Sequence, residues 1–293
     1  MISTIRDSVD PLLVVDGGSF LSNRSAEGEY KANMILSAFK AMNYQAVGIG
    51  KDDFHFNTYK LKNIFEEHGI PMVTSNLMAK GTGVPVGNPY VLVKSGSLSI
   101  AILSVLPENA FDNKPDKKEL FDIVDPVKAV TGLMPDIKKH NADVTILLAD
   151  FTLEETRTLV SNLSGAVDIA ISNEVSKDCL SPEVALEKPY VFPVSYRGMW
   201  LGMLTLQITD HGVVVTSNES IDLGDDVPQD ESINAMLDEA FREHARQMKE
   251  LRDAQALRDM EEHFKEYRDL SPMEFINKMK EQDKKDNPDE ENN

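Results

Sequence analysis

The stretch AVGIGKDDF, Ala46 to Phe54, places an ammonium beside two carboxylates: Lys51, Asp52 and Asp53 follow an apolar run closed by glycines. Strand ends that open into glycine-bounded polar turns are where α/β proteins put their chemistry. The carboxylates offer oxygen ligands suited to Mg²⁺ or Ca²⁺, and a neighbouring lysine can contact an anionic substrate. Three readings follow: a working site, the remains of one, or solvated acidic loop residues.

Other reactive groups are scattered. His55 follows the cluster directly and, alone in a loop, reads as solvated more readily than as a ligand. His68 stands at a helix end before Gly69, where the helix dipole favours a cation. His244 and His263 lie on a charged C-terminal stretch with no partners of metal-site type. Cys179 is the single cysteine, so the sequence offers no intrachain disulfide framework and no cysteine zinc cluster, and no base beside it marks a nucleophile. Asp16-Gly17-Gly18 lacks the spacing of a phosphate loop and is expected to be a tight turn after a strand. Met199-Trp200-Leu201 is expected to pack in the core or under the C-terminal tail.

The elements that must position these groups alternate in type. LLVVD (Leu12–Asp16), AVGI and MVTS (Met72–Ser75) read as strands, separated by helix-period segments over Ser25–Met42 and Asn57–His68. Tyr90–Val105 holds two apolar runs about a glycine turn, a hairpin signature. Asp125-Pro126 opens a helix, VTILLAD is a buried strand, and helix Thr152–Leu163 precedes strand VDIAIS. YVFPVS, GMLTLQIT and VVVTS finish the run as strands. This order predicts an α/β (α+β-like) fold of mixed or packed sheets with helices outside.

Composition shifts after Gly224. Ile233, Leu237, Phe241, His244, Met248 and Leu251 recur at spacings of three and four within Asp230–Arg268, which predicts a long amphipathic helix. Ser271, Pro272 and Glu274 open a second helix with a capping box. The expected divisions are a domain over 1–224, a charged helical tail over 225–281 and a disordered acidic end over 282–293.

The chain has 293 residues, a net charge of −19 and 41% hydrophobic residues, enough for a packed core. The negative charge argues against nucleic acid and anionic membranes as partners. No stretch approaches the roughly 18–20 apolar residues of a membrane span. MISTIRDSVDP has no apolar signal core, so a cytoplasmic protein or an exported one in mature form is expected.

Taken together, LLVVDGGSF, MNYQAVGIGKDDFHF, IPMVTSNLM, ADVTILLADFTLEE, VDIAISNEVS and YRGMWLGMLTLQI resemble, in order, the motif-bearing segments of the 5′-nucleotidase branch of the calcineurin-like metallophosphoesterases. The resemblance runs from about Leu12 to Ile208 and implies a four-layer sandwich of two mixed sheets flanked by helices. It also implies a phosphoesterase chemistry in which two metal ions, held by Asp, Asn and His, position a hydroxide and neutralise phosphoryl charge. Carried over by position, the bridging Asp falls on Ser19 and the Asn-His pair on Lys51 and Asp52, with Asp53 at an acidic neighbour. The later His falls on Asp150, and the Gly-His-x-His pair on Glu174 and Ser176. The family's opening Asp-x-His strand would lie upstream of Leu12 and finds no counterpart here. An ammonium at position 51 cannot ligate a metal while protonated and repels a dication beside it.

Those changes imply a degenerate, metal-free site with no catalytic residue, in which Lys51 supplies counter-charge to Asp52, Asp150 and Glu174. The rival reading keeps Mg²⁺ or Ca²⁺ on Asp52, Asp53, Asp150 and Glu174. Three functions stay open: an inactive structural or interaction subunit, a phosphoester hydrolase with an atypical oxygen-ligand site, and a module that holds a nucleotide or other small ligand without cleaving it. The C-terminal helix is the expected surface for a protein partner or self-association. Relatives of the resembled family imply an exported location.

Overall fold

The computed structural model describes residues 1–21, 28–173, 188–194, 198–268 and 270–286. The chain divides into two compact units, Met1–Leu237 and Asp238–Asn293.

In the first unit, α1 (Ile2–Ser8) leads to β1 (Val15–Asp16), α2 (Gly28–Ala41), β2 (Ala46–Gly48), a 3₁₀ turn (Asp53–His55), α3 (Thr58–His68), β3 (Met72–Val73) and β4 (Leu77–Ala79). Then come β5 (Val91–Ser95), β6 (Leu98–Val105), α4 (Pro115–Leu120), β7 (Phe121–Ile123), α5 (Pro126–Lys139), β8 (Val144–Ala149), α6 (Leu153–Asn162) and β9 (Ile169–Ser172). Strands β10 (Tyr190–Pro193), β11 (Trp200–Thr209) and β12 (Gly212–Asp222) precede α7 (Glu231–Arg268), and α8 (Pro272–Asp286) ends the described chain.

Two principal sheets result. One is parallel in the order β1-β2-β3, because α2 and α3 carry the chain back between successive strands. The other is mixed in the order β10-β9-β8-β6-β5, with β5 antiparallel to β6 through the expected hairpin and the rest parallel. Pairs β4–β7 and β11–β12 are antiparallel.

Side-chain alternation stacks these sheets into layers. On β6, Ala101, Leu103 and Val105 face a core with Val130, Ile137 and Leu159 of α5 and α6. Their neighbours Ile100 and Ile102 face the opposite core with Ala46 and Val73 of the parallel sheet and Val213 and Val215 of β12. On the far side, Val47 and Met72 pack with Leu36, Phe39, Leu61 and Phe65 of α2 and α3. The layers therefore run helix, sheet, sheet, helix. Period-two burial on strands enclosed from both sides produces this arrangement.

The helix ends follow local chemistry. Asn57 accepts the Lys60 N–H at 3.0 Å to start α3, and Gly69 closes it in the left-handed region at φ 69°. Thr152 and Glu155 form a reciprocal capping box on α6, and Asp125 caps α5 ahead of Pro126. Asn76 is fully buried and acts as a clamp. Its Nδ2 donates to the carbonyls of Leu106 and Val124 at 2.8 and 2.9 Å, and its Oδ1 accepts the Leu106 N–H at 2.9 Å.

The second unit continues α7 and holds α8. Ser271 and Glu274 cap α8 reciprocally, with the Ser271 N–H donating to Glu274 Oε2 at 2.9 Å. Helix α8 reaches Asp286, past the expected end of the helical tail at 281. Residues 287–293, the rest of the expected acidic end, lie outside the described residues. No described helix is long and apolar enough to cross a membrane. Met199, expected to be packed away, is 48% exposed just before β11.

Candidate functional site

The C-terminal ends of β1, β2 and β8 meet where the sequence placed its polar cluster. After β1 the chain turns sharply: Asp16 Oδ1 accepts the Gly18 N–H at 2.8 Å, and Gly18 and Ser19 both take positive φ, 97° and 63°. This turn lies directly on the one after β2. A Cβ on Gly18 would come within 2.5 Å of the Gly50 backbone nitrogen, and one on Gly50 within 1.9 Å of Ser19 Oγ. Only glycine permits that approach.

Asp53 locks the two turns together. Its Oδ2 accepts the N–H groups of Ser19 and Gly50 at 2.7 and 2.9 Å, and its Oδ1 accepts the Leu21 N–H at 2.9 Å. The residue is 1% exposed. Burial pushes its pKa up to about 7, against the downward pull of those amides. Asp16 is likewise pushed up to about 6 by burial, offset in part by the Gly18 amide.

Asp150 sits at the end of β8, buried. Its Oδ2 accepts the Lys51 N–H at 2.7 Å, and Ser19 Oγ reaches its Oδ1 at 3.5 Å. Burial raises its pKa, while the Lys51 amide and charge, together with a hydrogen bond from Asn173, draw it down. Asn173 follows β9 and also donates from Nδ2 to the Gly17 carbonyl at 2.5 Å. Its Oδ1 is buried without a partner among the described residues.

The structure thus brings Ser19, Lys51, Asp52, Asp53 and Asp150 together. Asp52 is partly buried and opens the 3₁₀ turn without capping it through its side chain. Lys51 contributes its backbone to this cluster while its side chain is exposed. Glu174, Ser176 and Cys179 lie outside the described residues. His55 belongs to the 3₁₀ turn. His68 departs from the expected helix-end cation: burial and the Lys40 charge lower its basicity, outweighing Glu67, and its Nε2 meets Asn33 Oδ1 at 3.2 Å.

Sequence reading missed Lys114. Its ammonium donates to the Lys51 carbonyl, arriving from the segment between β6 and α4. Burial lowers its basicity, and the charges of Asp52 and Asp150 pull it back up. No sequence signal links positions 51 and 114, because the contact depends on the packing of two loops.

Among the described residues, no group of three or more His, Cys, Asp or Glu is arranged to hold a metal ion. Asp53 spends both oxygens on backbone amides, and the Lys114 ammonium is engaged with the Lys51 carbonyl. The described donor set does not fit a pair of metal ions.

No family model matches the chain. It is 27% identical over 170 residues to the 2′,3′-cyclic-nucleotide 2′-phosphodiesterase/3′-nucleotidase of Haemophilus influenzae, covering 51% of this chain and 25% of that protein. The chain therefore spans about a quarter of the length of that curated relative. Among solved structures, the calcineurin-like phosphoesterase YfkN of Bacillus subtilis superposes with a TM-score of 0.67 at 19% identity, covering 83% of this chain and 86% of that one. The 5′-nucleotidase precursor of Thermus thermophilus gives a TM-score of 0.66 at 15% identity, covering 85% and 52%. The chain has the calcineurin-like phosphoesterase fold and resembles its nucleotidase branch in sequence.

Proposed function

We propose that this chain is a catalytically degenerate member of the nucleotidase-like phosphoesterases, serving as a structural or interaction subunit. The observation that carries the reading is the state of the two buried carboxylates. Asp53 is fully engaged in tying the loops after β1 and β2, and Asp150 holds the Lys51 amide. In the hydrolytic chemistry such groups hold metal ions that assemble a hydroxide and offset phosphoryl charge. Here they satisfy backbone donors whose burial without partners would cost about 1–3 kcal/mol each.

The interaction role falls to α7 and α8. Leu251, Leu257 and Met260 are 64%, 58% and 54% exposed on α7, and Met273 is 71% exposed on α8. Apolar side chains repeated along a charged helix are a surface a protein partner or a second copy can cover. An exported location belongs to the same proposal; its support is the likeness to a 5′-nucleotidase precursor.

Elemental analysis tests the core of this reading. The purified protein is measured as isolated and after dialysis against Mn²⁺, Zn²⁺, Mg²⁺ and Ca²⁺, alongside hydrolysis of a nucleotide panel. No stoichiometric metal and no turnover are expected. About one or two bound equivalents, with turnover lost in Asp52→Asn or Asp150→Asn, would instead establish the two-metal hydrolase.

A second reading, retention of a nucleotide or other small ligand without cleavage, draws on the unpartnered Asn173 Oδ1 at the strand ends. It requires that a nucleotide raise the melting temperature of the wild type but not of Asn173→Ala.

A further inference from the structure

The segment that carries Lys114 is built to hold that side chain in place. Asn76 grips its start at Leu106 through both backbone groups. Phe111 is buried and stands edge-on to Phe54 with ring centroids 4.6 Å apart, so the residue next to Asp53 anchors the residue three before Lys114. The Lys114 N–H donates to the Phe111 carbonyl at 2.9 Å, and the Lys114 carbonyl accepts the Lys117 N–H at 3.0 Å as α4 begins. The backbone on either side of Lys114 is therefore fixed by local bonds.

Charges nearby are sorted by distance along the chain. Lys117 pairs with Asp116 at 3.3 Å, and Lys118 with Asp112 at 2.9 Å. Lys114 instead crosses to the Lys51 carbonyl, in the field of Asp52, Asp150 and Asp53. Carboxylates brought together away from bulk water repel unless a positive charge stands among them.

We propose that Lys114 is the built-in cation of this cleft, a positioning residue whose ammonium pins the loop after β2 through the Lys51 carbonyl and offsets Asp52 and Asp150. It supplies from the chain the positive charge that a divalent ion would supply in two-metal phosphoester hydrolysis. The inference rests on the metal-free reading of the same site and names the group that makes it self-sufficient.

A double-mutant cycle on the full chain tests it, with melting temperatures for wild type, Lys114→Gln, Asp52→Asn and the pair. Lys114→Gln is expected to lower the melting temperature by about 3–5 °C. In the Asp52→Asn background that loss should fall by about half or more, because less negative charge is left to offset. A side chain that acted only through packing or its hydrogen bond would show the same loss in both backgrounds, and that outcome overturns the proposal. So does a Lys114→Gln protein that melts like wild type.

Lys114→Arg supplies a variant that keeps the charge, and it should retain most of the wild-type melting temperature. If it falls as far as Lys114→Gln, the charge is not what matters and the proposal fails. Millimolar Mg²⁺ should recover part of the Lys114→Gln loss while leaving wild type unmoved. Absence of any recovery counts against Lys114 as the local cation. A wild type that Mg²⁺ itself raises, with metal found by elemental analysis, sinks the metal-free reading of the site separately from the cycle.

Discussion

The backbone amide of Lys51 and Oδ2 of Asp150 meet at 2.7 Å, joining the loop after β2 in one sheet to the end of β8 in the other. The bond uses the main chain of Lys51 and the side chain of Asp150, so the two residues should respond very differently to replacement. Lys51→Asn keeps the amide and exchanges an exposed side chain; the expected change in stability is within about 0.5 kcal/mol. Asp150→Ala leaves a partly buried N–H without its acceptor and should cost about 1–3 kcal/mol. Urea unfolding of both variants decides the point. Equal losses would mean that the Lys51 ammonium contributes as much as its amide.

Asn76 makes the sharpest demand on side-chain chemistry. Its amide group donates twice and accepts once, with no exposure to water. Asn76→Asp turns the donor end into an acceptor facing two carbonyls, and a loss of about 3 kcal/mol or more is expected. Asn76→Asp should also loosen the segment leading to Lys114, measurable as faster amide exchange at Leu106. Native-like protection at Leu106 in a folded Asn76→Asp protein would contradict the clamp.

The glycines divide into those that are pressed upon and those that are not. A Cβ on Gly48 would approach the Gly17 carbonyl oxygen and Ser104 Oγ at 2.8 Å each. Gly132 inside α5 has nothing within 4 Å. Gly48→Ala should therefore destabilise by about 1–3 kcal/mol through overpacking. Gly132→Ala should stabilise by about 0.5–1 kcal/mol by restricting the unfolded chain. Chemical denaturation of the two alanine variants should give shifts of opposite sign, and a stabilised Gly48→Ala protein would contradict the close approach at Gly48.

Much of this architecture was legible because it rests on local chemistry. The period-two burial of VTILLAD, the Asn57 and Thr152 caps and the Gly96 hairpin turn are each written within a few residues. Helices α1 and α4 and strands β4 and β7 were not legible, since segments of three to seven residues carry too few periods to stand out. Within the site, the cluster at 51–53 announced itself by composition, yet the roles inside it did not. Asp53 is a structural hub because three amides from two loops point at it, and Lys114 reaches Lys51 because Phe111 finds Phe54. Both depend on contacts across many residues of chain.

Hydrogen bonding separates Asp16 from Asp53, although burial pushes the pKa of both upward, to about 6 and about 7 from an ordinary 3.8. A carboxyl with a raised folded-state value binds its proton more tightly folded than unfolded. Its contribution is fully present below about pH 4 and is lost as the pH climbs through its folded value. These two groups should thus make stability fall between about pH 4 and 7, then level off. Asp16 accepts a single N–H, which an asparagine oxygen can accept equally well. Asp16→Asn should therefore melt higher than wild type at pH 8, by about 1–2 kcal/mol after allowing for partial solvent contact, with the gain shrinking toward pH 4. Asp53 accepts three N–H groups on two oxygens. Asp53→Asn would turn an NH₂ toward at least one of those donors and should lose about 2–4 kcal/mol at either pH. Melting curves at pH 4.5 and 8 distinguish the two sites. An Asp16→Asn protein with no pH-dependent gain would show that the turn after β1 solvates its carboxylate well enough to remove the cost of charge.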